Sequence, residues 1–273
     1  MTRPLKKMPT PLGIGVGQTA SVQLPIGLTY ERLYIRANAD VDGLGTDDVV
    51  EADWVNLIDE IRLMVDGDSK IQITASDLVA LNKYYGIDHK PGVLPLFLSR
   101  PWMRTAGGED QTAYGTAGGM TSFALEMDLK PGVTSIGSLN VYAVQSPGRP
   151  FGPHLRIQRY VHNQGVTGEA EISDIVRGPY AMLAMHFNTA AITDVEVLAD
   201  QRKVHDSDAA IRLGHYAVPG RAPQADFTHI DFITENRLSE AMPMALQDFR
   251  IKTDFTATGN FSIYTESVQG RSG

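Results

Sequence analysis

The histidines and the nucleophile motifs are the features of this sequence that would reveal catalysis. The seven histidines are spread along the chain, and none has a second ligand at the spacing of an HxH, HExxH or HxxE motif. A metal centre of the cupin type is therefore not predicted. His186 lies in the apolar run Met185-His186-Phe187, which is typical of a hydrogen-bonded core histidine. There is no GxSxG motif and no cysteine, so we predict no enzymatic activity.

One acidic segment has the spacing of the first half of a calcium-binding loop. In Asn38-Ala39-Asp40-Val41-Asp42-Gly43, oxygen ligands alternate along the chain and glycine takes the sixth position. The twelfth position, where such a loop carries a bidentate glutamate, is Val49. A solvated acidic turn is the alternative interpretation, and the mismatch favours it.

The N-terminal thirty residues carry only positive charge, from Arg3, Lys6 and Lys7, because Glu31 is the first acidic residue. Two interpretations stay open: a terminus without fixed structure, or an arm whose cations contact anionic lipid headgroups. The glycines of 13–17 lack the Lys-Ser/Thr of a phosphate-binding loop. We therefore assign them to a flexible N-terminal arm, residues 1–20.

The segment 100–120 is rich in glycine and has no helical or strand periodicity. A connection of this length usually forms a working surface. We expect a subunit contact or an outer projection, with Trp102 as the candidate contact residue, because aromatic side chains dominate interface energetics. An exposed spacer is the alternative.

Composition limits the class of protein further. The chain has 273 residues, with 24 Lys and Arg against 32 Asp and Glu, which gives a net charge of −8. A chain of this length can bury a core without disulfides or a metal ion. The negative charge disfavours nucleic-acid binding. The longest apolar run, 180–187, is too short to span a membrane.

The elements that must position these residues are mostly short strands. Residues 121–129 alternate between apolar and polar side chains, and 61–73 read as a hairpin around Asp66-Gly67. Two helices are predicted: one capped within 74–77 and ending at Gly86, and one capped within 206–208 and ending at Gly214. Many strands with one helix in each half predict an all-β sandwich fold.

The two halves of the chain resemble each other. The strand 58–63 and the strand 192–197 each lead through a turn into a helix, and similar pairs of strands follow at 123 and 249. A tandem duplication predicts two eight-stranded sandwiches, which together form a double jelly roll. We place the first jelly roll at 21–147 and the second at 148–273, with a Pro- and Gly-rich linker at 146–153.

Several stretches, in order along nearly the whole chain, resemble the major capsid proteins of corticoviruses, which are tailless icosahedral bacteriophages with an internal membrane. The matching stretches are 21–31, Val65-Asp66-Gly67, Arg100-Pro101 with Met103, Gly115-Thr116, 247–254 and Arg271-Ser272-Gly273. The resemblance weakens at 40–48 and in the middle of 100–120. It implies a structural, non-enzymatic coat subunit.

The resemblance also implies partners and a location. Such subunits form homotrimers of nearly hexagonal outline that tile an icosahedral shell over a lipid membrane, beside vertex (penton) and minor membrane proteins. The subunit would be found in the virion and be assembled in the host cytoplasm. The family's calcium dependence keeps Asp40, Asp42 and Asp47 as a candidate calcium site. The alternative function is a carbohydrate-active or glycan-binding β-sandwich protein, which would carry paired carboxylates on an aromatic-lined sheet.

Overall fold

The computed structural model describes residues 3–270, which divide into two compact units. The first unit contains residues 3–82 and Ile87–Ile157, and the second contains Lys83–Gly86 and Gln158–Gly270. No helix in the described part of the chain is long and apolar enough to cross a membrane.

Strands dominate both units. The elements that begin in the first unit are β1 (Leu5–Lys7), β2 (Thr19–Gln23), β3 (Thr29–Asp40), β4 (Asp47–Asp48), α1 (Trp54–Leu57), β5 (Ile58–Val65), β6 (Asp68–Thr74), α2 (Ala75–Tyr84), β7 (Val93–Phe97), α3 (Ala106–Gln111), β8 (Tyr114–Gly115), β9 (Phe123–Leu129), β10 (Ser135–Ser146) and β11 (His154–Gln164). The second unit adds β12 (Gly168–Ile172), β13 (Tyr180–Phe187), β14 (Ile192–Ala199), β15 (Arg202–Asp208), α4 (Ala209–Ala217), β16 (Thr228–Asp231), β17 (Met242–Pro243), β18 (Phe249–Phe255) and β19 (Gly259–Gln269).

The first unit is a sandwich of two layers. One layer has the order β1-β10-β3, with β4, β7 and β8 also paired to β3, and the other has the order β6-β5-β9-β2. Buried and half-exposed residues alternate along β3 and β9, so each layer presents one apolar face. Tyr30 of β3 packs edge-on against Phe123 of β9 at 5.1 Å between ring centroids, which joins the two apolar faces.

The second unit has the same construction. One layer has the order β16-β13-β19-β11, with β17 beside β13, and the other has the order β12-β18-β14-β15. Both layers contribute to one apolar core, for example through Met185 and Ile263 from the first and Val195 and Ile251 from the second. The all-β sandwich prediction is confirmed in both units.

A hairpin followed by a helix recurs at equivalent places in the two units. The β5–β6 turn, Asp66-Gly67, and the β14–β15 turn, Asp200-Gln201, have positive φ at both residues, which matches the twist of a two-residue hairpin. Asp66 Oδ1 accepts from the backbone N–H groups of Thr121 and Ser122, just before β9.

Asp200 Oδ1 accepts in the same way from the backbone N–H groups of Gln247 and Asp248, just before β18. Because each turn aspartate fixes the start of the neighbouring strand, the two units share a specific hydrogen-bond pattern as well as a topology. The pattern supports the tandem duplication proposed from the sequence.

Several local predictions differ from the structure. The helix expected to end at Gly214 continues to Ala217, since an isolated glycine is tolerated within a helix. The segment 100–120 contains α3 and β8, so it is not an unstructured loop, and the first unit holds three α-helices instead of one. Thr105 caps α3 by accepting from the backbone N–H of Gly108, a signal that the glycine-rich composition concealed.

The compact units divide at Ile157, ten residues beyond the boundary predicted at 147. The predicted linker, 146–153, contacts the first unit through Arg149, whose guanidinium donates to the carbonyl groups of Asp110, Gln111 and Ala113. The segment expected as a flexible arm also differs. Within it, Leu5–Lys7 forms β1, paired with β10, and Leu12 pairs with Ser21.

Candidate functional site

The predicted calcium ligands are not brought together. Asp40 Oδ1 accepts from the backbone N–H of Gly43, and Asp42 Oδ1 accepts from that of Leu44, as in a hydrogen-bonded turn. Asp47 lies in β4, opposite Ala39. Among residues 3–270, no three histidine, aspartate or glutamate side chains are placed to hold a metal ion. The contacts of Asp40 and Asp42 are those of an acidic turn, and a calcium site at these residues stays a prediction.

The three N-terminal cations have different surroundings. The Arg3 guanidinium forms ion pairs of 2.8 Å with Glu109 and with Asp110, so it is bound to the first unit. Lys6 and Lys7 lie in the exposed edge strand β1. The contact of all three cations with lipid stays a prediction, and for Arg3 it would compete with the two ion pairs.

Trp102 lies in the segment 100–120 and is half-buried. Its ring packs edge-on against Phe97 at 5.3 Å, and the Arg100 guanidinium lies 5.4 Å from the ring centroid. These contacts fix the side chain within the first unit. Its role in a subunit contact stays a prediction.

The most concentrated group of polar side chains is a buried cluster in the second unit, which we call the histidine cluster. His186 and His229 lie directly opposite each other on β13 and β16, with 2.7 Å between their Nδ1 atoms. On the other side of His186, the Oε2 atom of Glu266 lies 3.8 Å from Nε2 and accepts a 2.5 Å hydrogen bond from the Tyr85 hydroxyl. The histidines and Glu266 are almost fully buried.

The hydrogen bonds assign the tautomers of both histidines. The backbone N–H of Gln224 donates to His229 Nε2 at 3.2 Å, so this nitrogen carries no proton. A neutral His229 therefore carries its proton on Nδ1 and donates to His186 Nδ1, which leaves the proton of His186 on Nε2, facing Glu266. A second proton on His229 would sit on Nε2 and break the hydrogen bond from Gln224. A second proton on His186 would sit on Nδ1 and face the N–H of His229.

A buried ion pair adjoins the histidine cluster. Arg221 Nε donates to Asp231 Oδ2 at 2.8 Å, and both side chains are almost fully buried. The Tyr84 hydroxyl donates to the same oxygen at 3.1 Å, while the backbone N–H of Ile233 donates to Oδ1. The Tyr216 hydroxyl accepts from the backbone N–H of Asp231. Each charge thus has a partner and several hydrogen bonds, as a buried pair requires.

Burial sets the protonation states within this region. Burial lowers the pKa of His229 well below its usual value, and the neighbouring His186 lowers it further. Burial also raises the pKa values of the Tyr84 and Tyr216 hydroxyls, which stay protonated as hydrogen-bond donors. The arrangement is that of a buried polar network in which most donors and acceptors are paired, and such a network specifies one packing of the core.

Sequence reasoning identified His186 as a core histidine, as the structure shows, but missed its partners. His229 and Asp231 lie on β16 and Glu266 lies on β19, and both strands are far from β13 along the chain. Only the register of β13 against its neighbours places them together. A single sequence carries no signal of that register, because the apolar run of β13 has no alternation to mark it.

Comparisons with known proteins agree with this architecture. The family model of the viral coat protein P2 N-terminal domain matches residues 5–146, and that of the P2 C-terminal domain matches residues 154–271. The chain is 26% identical over 266 residues to the major capsid protein P2 of Pseudoalteromonas phage PM2, covering 93% of this chain and 92% of that protein.

Solved structures show the fold. The crystal structure of the major capsid protein P2 from bacteriophage PM2 matches with a TM-score of 0.86 and 24% identity, covering 99% of this chain and 98% of that one. The STIV major capsid protein matches with a TM-score of 0.69 and 10% identity, covering 98% and 97%. The double jelly-roll fold predicted from the sequence is confirmed. Because the two family models together match nearly the whole chain, the chain belongs to the viral coat protein P2 family.

Proposed function

We propose that this chain is the major capsid protein of a virion, and that homotrimers of nearly hexagonal outline tile an icosahedral shell over an internal lipid membrane. Membership of the coat protein family carries the proposal, because both family models match in order along the chain. The capsid role and the virion location follow from membership of the family. The trimer and the internal membrane are more specific parts of the proposal, and they need tests of their own.

The construction of the chain supports the trimer. Each chain contains two β-sandwiches that share a hairpin–helix pattern, so three copies supply six similar units. A closed ring of three needs two different, complementary surfaces on each copy. Two diverged sandwiches in one polypeptide can supply such surfaces.

A structural role, without enzymatic activity, is also part of the proposal. The histidine cluster is enclosed by its own side chains, with Tyr84 stacked on His229 at 4.2 Å and Phe227 stacked on it at 5.6 Å. Its donors and acceptors are directed at one another, which suits stabilisation of the core. The family assignment favours this role over the carbohydrate-active or glycan-binding alternative.

The remaining partners are proposed on the family alone: vertex (penton) proteins, minor membrane proteins of the virion and the lipid surface. Lys6 and Lys7 are the exposed cations of the N-terminal segment, and a basic residue near an anionic surface contributes about 1 kcal/mol. Arrayed over a shell, such weak contacts would add through avidity.

Negative-stain electron microscopy of the purified chain tests the proposal. Particles of nearly hexagonal outline are expected, and a field of single sandwich-sized particles at all concentrations would contradict it. Flotation with anionic vesicles tests the lipid contact separately. The Lys6→Gln variant is expected to float less than the wild type, with the exposed Lys90→Gln as the matched control. Equal flotation of wild type and variant would contradict the proposed lipid contact.

A further inference from the structure

The layer β12-β18-β14-β15 of the second unit has an acidic outer face. Its inner face carries the core residues Val195 and Val197, so the alternate residues of β14 point outwards. The strand registers place eight outward residues in two rows across the four strands. The first row is Glu169, Asp254, Asp194 and Asp208, and the second is Glu171, Lys252, Glu196 and Asp206.

The first row is poor in counter-charge. Asp208 accepts from the backbone N–H of Ile211 and caps α4. Glu169, Asp194 and Asp254 form no ion pair with any residue of 3–270, whereas the second row is paired through Lys203 and Lys252. Like charges directly opposite one another across strands destabilise a sheet. The six carboxylates other than Asp208 line a groove of about 530 Å³.

The equivalent layer of the first unit carries its own counter-charge. Arg62 of β5 contacts Glu60 at 3.0 Å, Glu126 at 3.3 Å and Asp128 at 2.5 Å. By the hairpin pattern that the two units share, the residue at the position of Arg62 in the second unit is Glu196. The second unit therefore has an acid where the first has the cation that neutralises three carboxylates.

The first unit carries a face of the opposite character. On the layer β1-β10-β3, the outward residues Tyr142 and Tyr34 lie opposite each other, with Lys7 beside Tyr142. Arg32 and Arg36 lie on the same side of β3, alternating with buried residues. Arg36 is paired with Asp48 of β4 at 2.6 Å, and Asp47 of β4 and Asp40 of β3 are further acidic residues of this layer. Arginine and tyrosine are the residues that protein interfaces favour.

We propose that the acidic face of the second unit of one copy docks against the basic face of the first unit of another copy. We define the acidic face by Glu169, Asp194 and Asp254, and the basic face by Lys7, Arg32 and Arg36. The occupant of the groove is thus a second copy of this chain. A contact between two different faces is heterologous, and three such contacts close a ring of three.

This inference rests on the proposed homotrimer and names the surfaces that form it. It also separates the two exposed lysines of β1. Lys7 lies opposite the outward Tyr142 and belongs to the basic face, whereas Lys6 lies opposite the buried Ala143 and stays available for the predicted lipid contact.

Charge reversal tests the inference by sedimentation velocity at several protein and salt concentrations. The Asp194→Lys/Asp254→Lys variant and the Lys7→Glu/Arg32→Glu variant are each expected to weaken association about tenfold or more. One chain carrying all four substitutions should associate again, because the two faces have exchanged charge. The matched control is Asp174→Lys/Asp226→Lys, which makes the same charge change on exposed residues of the second unit and should leave association unchanged.

The possible outcomes separate the two proposals. A wild-type chain that stays monomeric would overturn the proposed trimer. A wild-type trimer whose association is unchanged by salt and by both charge reversals would contradict the proposed interface but not the trimer. Failure of the variant with all four substitutions to associate again would have the same meaning. If a reversed variant misfolds, Asp194→Asn/Asp254→Asn replaces it. This variant removes like-charge repulsion, so it should melt no lower than the wild type when dissociated, and still associate less.

Discussion

Replacing His229 with glutamine is expected to remove part of the acid sensitivity of the second unit. His229 uses one ring nitrogen as an acceptor from Gln224 and the other as a donor to His186, so it fits this site only when neutral. A glutamine amide also offers one donor and one acceptor, but it gains no proton between pH 7 and pH 5. The groups that face His229 are His186, Tyr84, Tyr216 and, beyond His186, Glu266.

The direction and the size of the pH effect on the free energy of unfolding follow from the pKa of His229. Burial and His186 hold this pKa well below the value of 6.5 expected in the unfolded chain, so the unfolded chain binds the proton first. The stabilising contribution is present above pH 6.5 and is lost as the pH falls towards the folded-state pKa. The loss approaches at most about 1.4 kcal/mol for each pH unit, the limit for one proton that only the unfolded chain binds.

Urea unfolding at half-unit steps from pH 7.5 to pH 5 measures this effect. The His229→Gln variant is expected to be less stable at pH 7.5, because it loses ring stacking with Tyr84, but its free energy of unfolding should fall less steeply with acid. Burial also lowers the pKa values of His154 and His205 to about 4, so part of the wild-type slope remains in the variant. The exposed His215→Gln is the matched control and should keep the full slope. Equal slopes for wild type and His229→Gln would refute the reasoning.

Three further substitutions test the packing account by thermal and urea unfolding. Asp231→Asn leaves the buried Arg221 guanidinium without its counter-charge and should lower the free energy of unfolding by about 3–5 kcal/mol. Asp206→Asn, at the exposed partner of Lys203, should lower it by less than about 1 kcal/mol. Equal losses would contradict a stabilising role for the buried ion pair. Arg62→Met keeps the apolar stem but leaves three carboxylates facing one another, and should cost about 2 kcal/mol at low salt and less at high salt. A loss independent of salt would show that packing, not charge, is the cause. Asp208→Ala removes the side-chain cap of α4 and should cost about 1 kcal/mol, while Asp208→Asn, which can still cap, should cost much less; no difference between the two would exclude the capping role.

The strands and the duplication could be predicted from the sequence because local signals mark them. Alternation of apolar and polar residues marks β5, β6 and β9, and the Asp66-Gly67 turn marks the hairpin between β5 and β6. The caps at Thr74 and Asp208 mark the starts of α2 and α4. These features depend on neighbours along the chain, which a sequence displays directly.

The functional features depend on register and on contacts distant in sequence. The histidine cluster exists because His186 and His229 fall opposite each other on adjacent strands, and the acidic row exists because three registers align its carboxylates. The position of Asp47 also depends on a register, since β4 places it opposite Ala39. The contact of the segment 146–153 with the first unit is also distant in sequence, because Arg149 makes it with the carbonyl groups of Asp110 and Ala113.

Native mass spectrometry of the purified chain over a range of concentrations tests the central claim most directly. The account predicts a dominant species of three times the 29.8 kDa of one chain, and its share should fall as salt is raised. A mass of 29.8 kDa at every concentration, or a dimer as the largest species, would contradict the account.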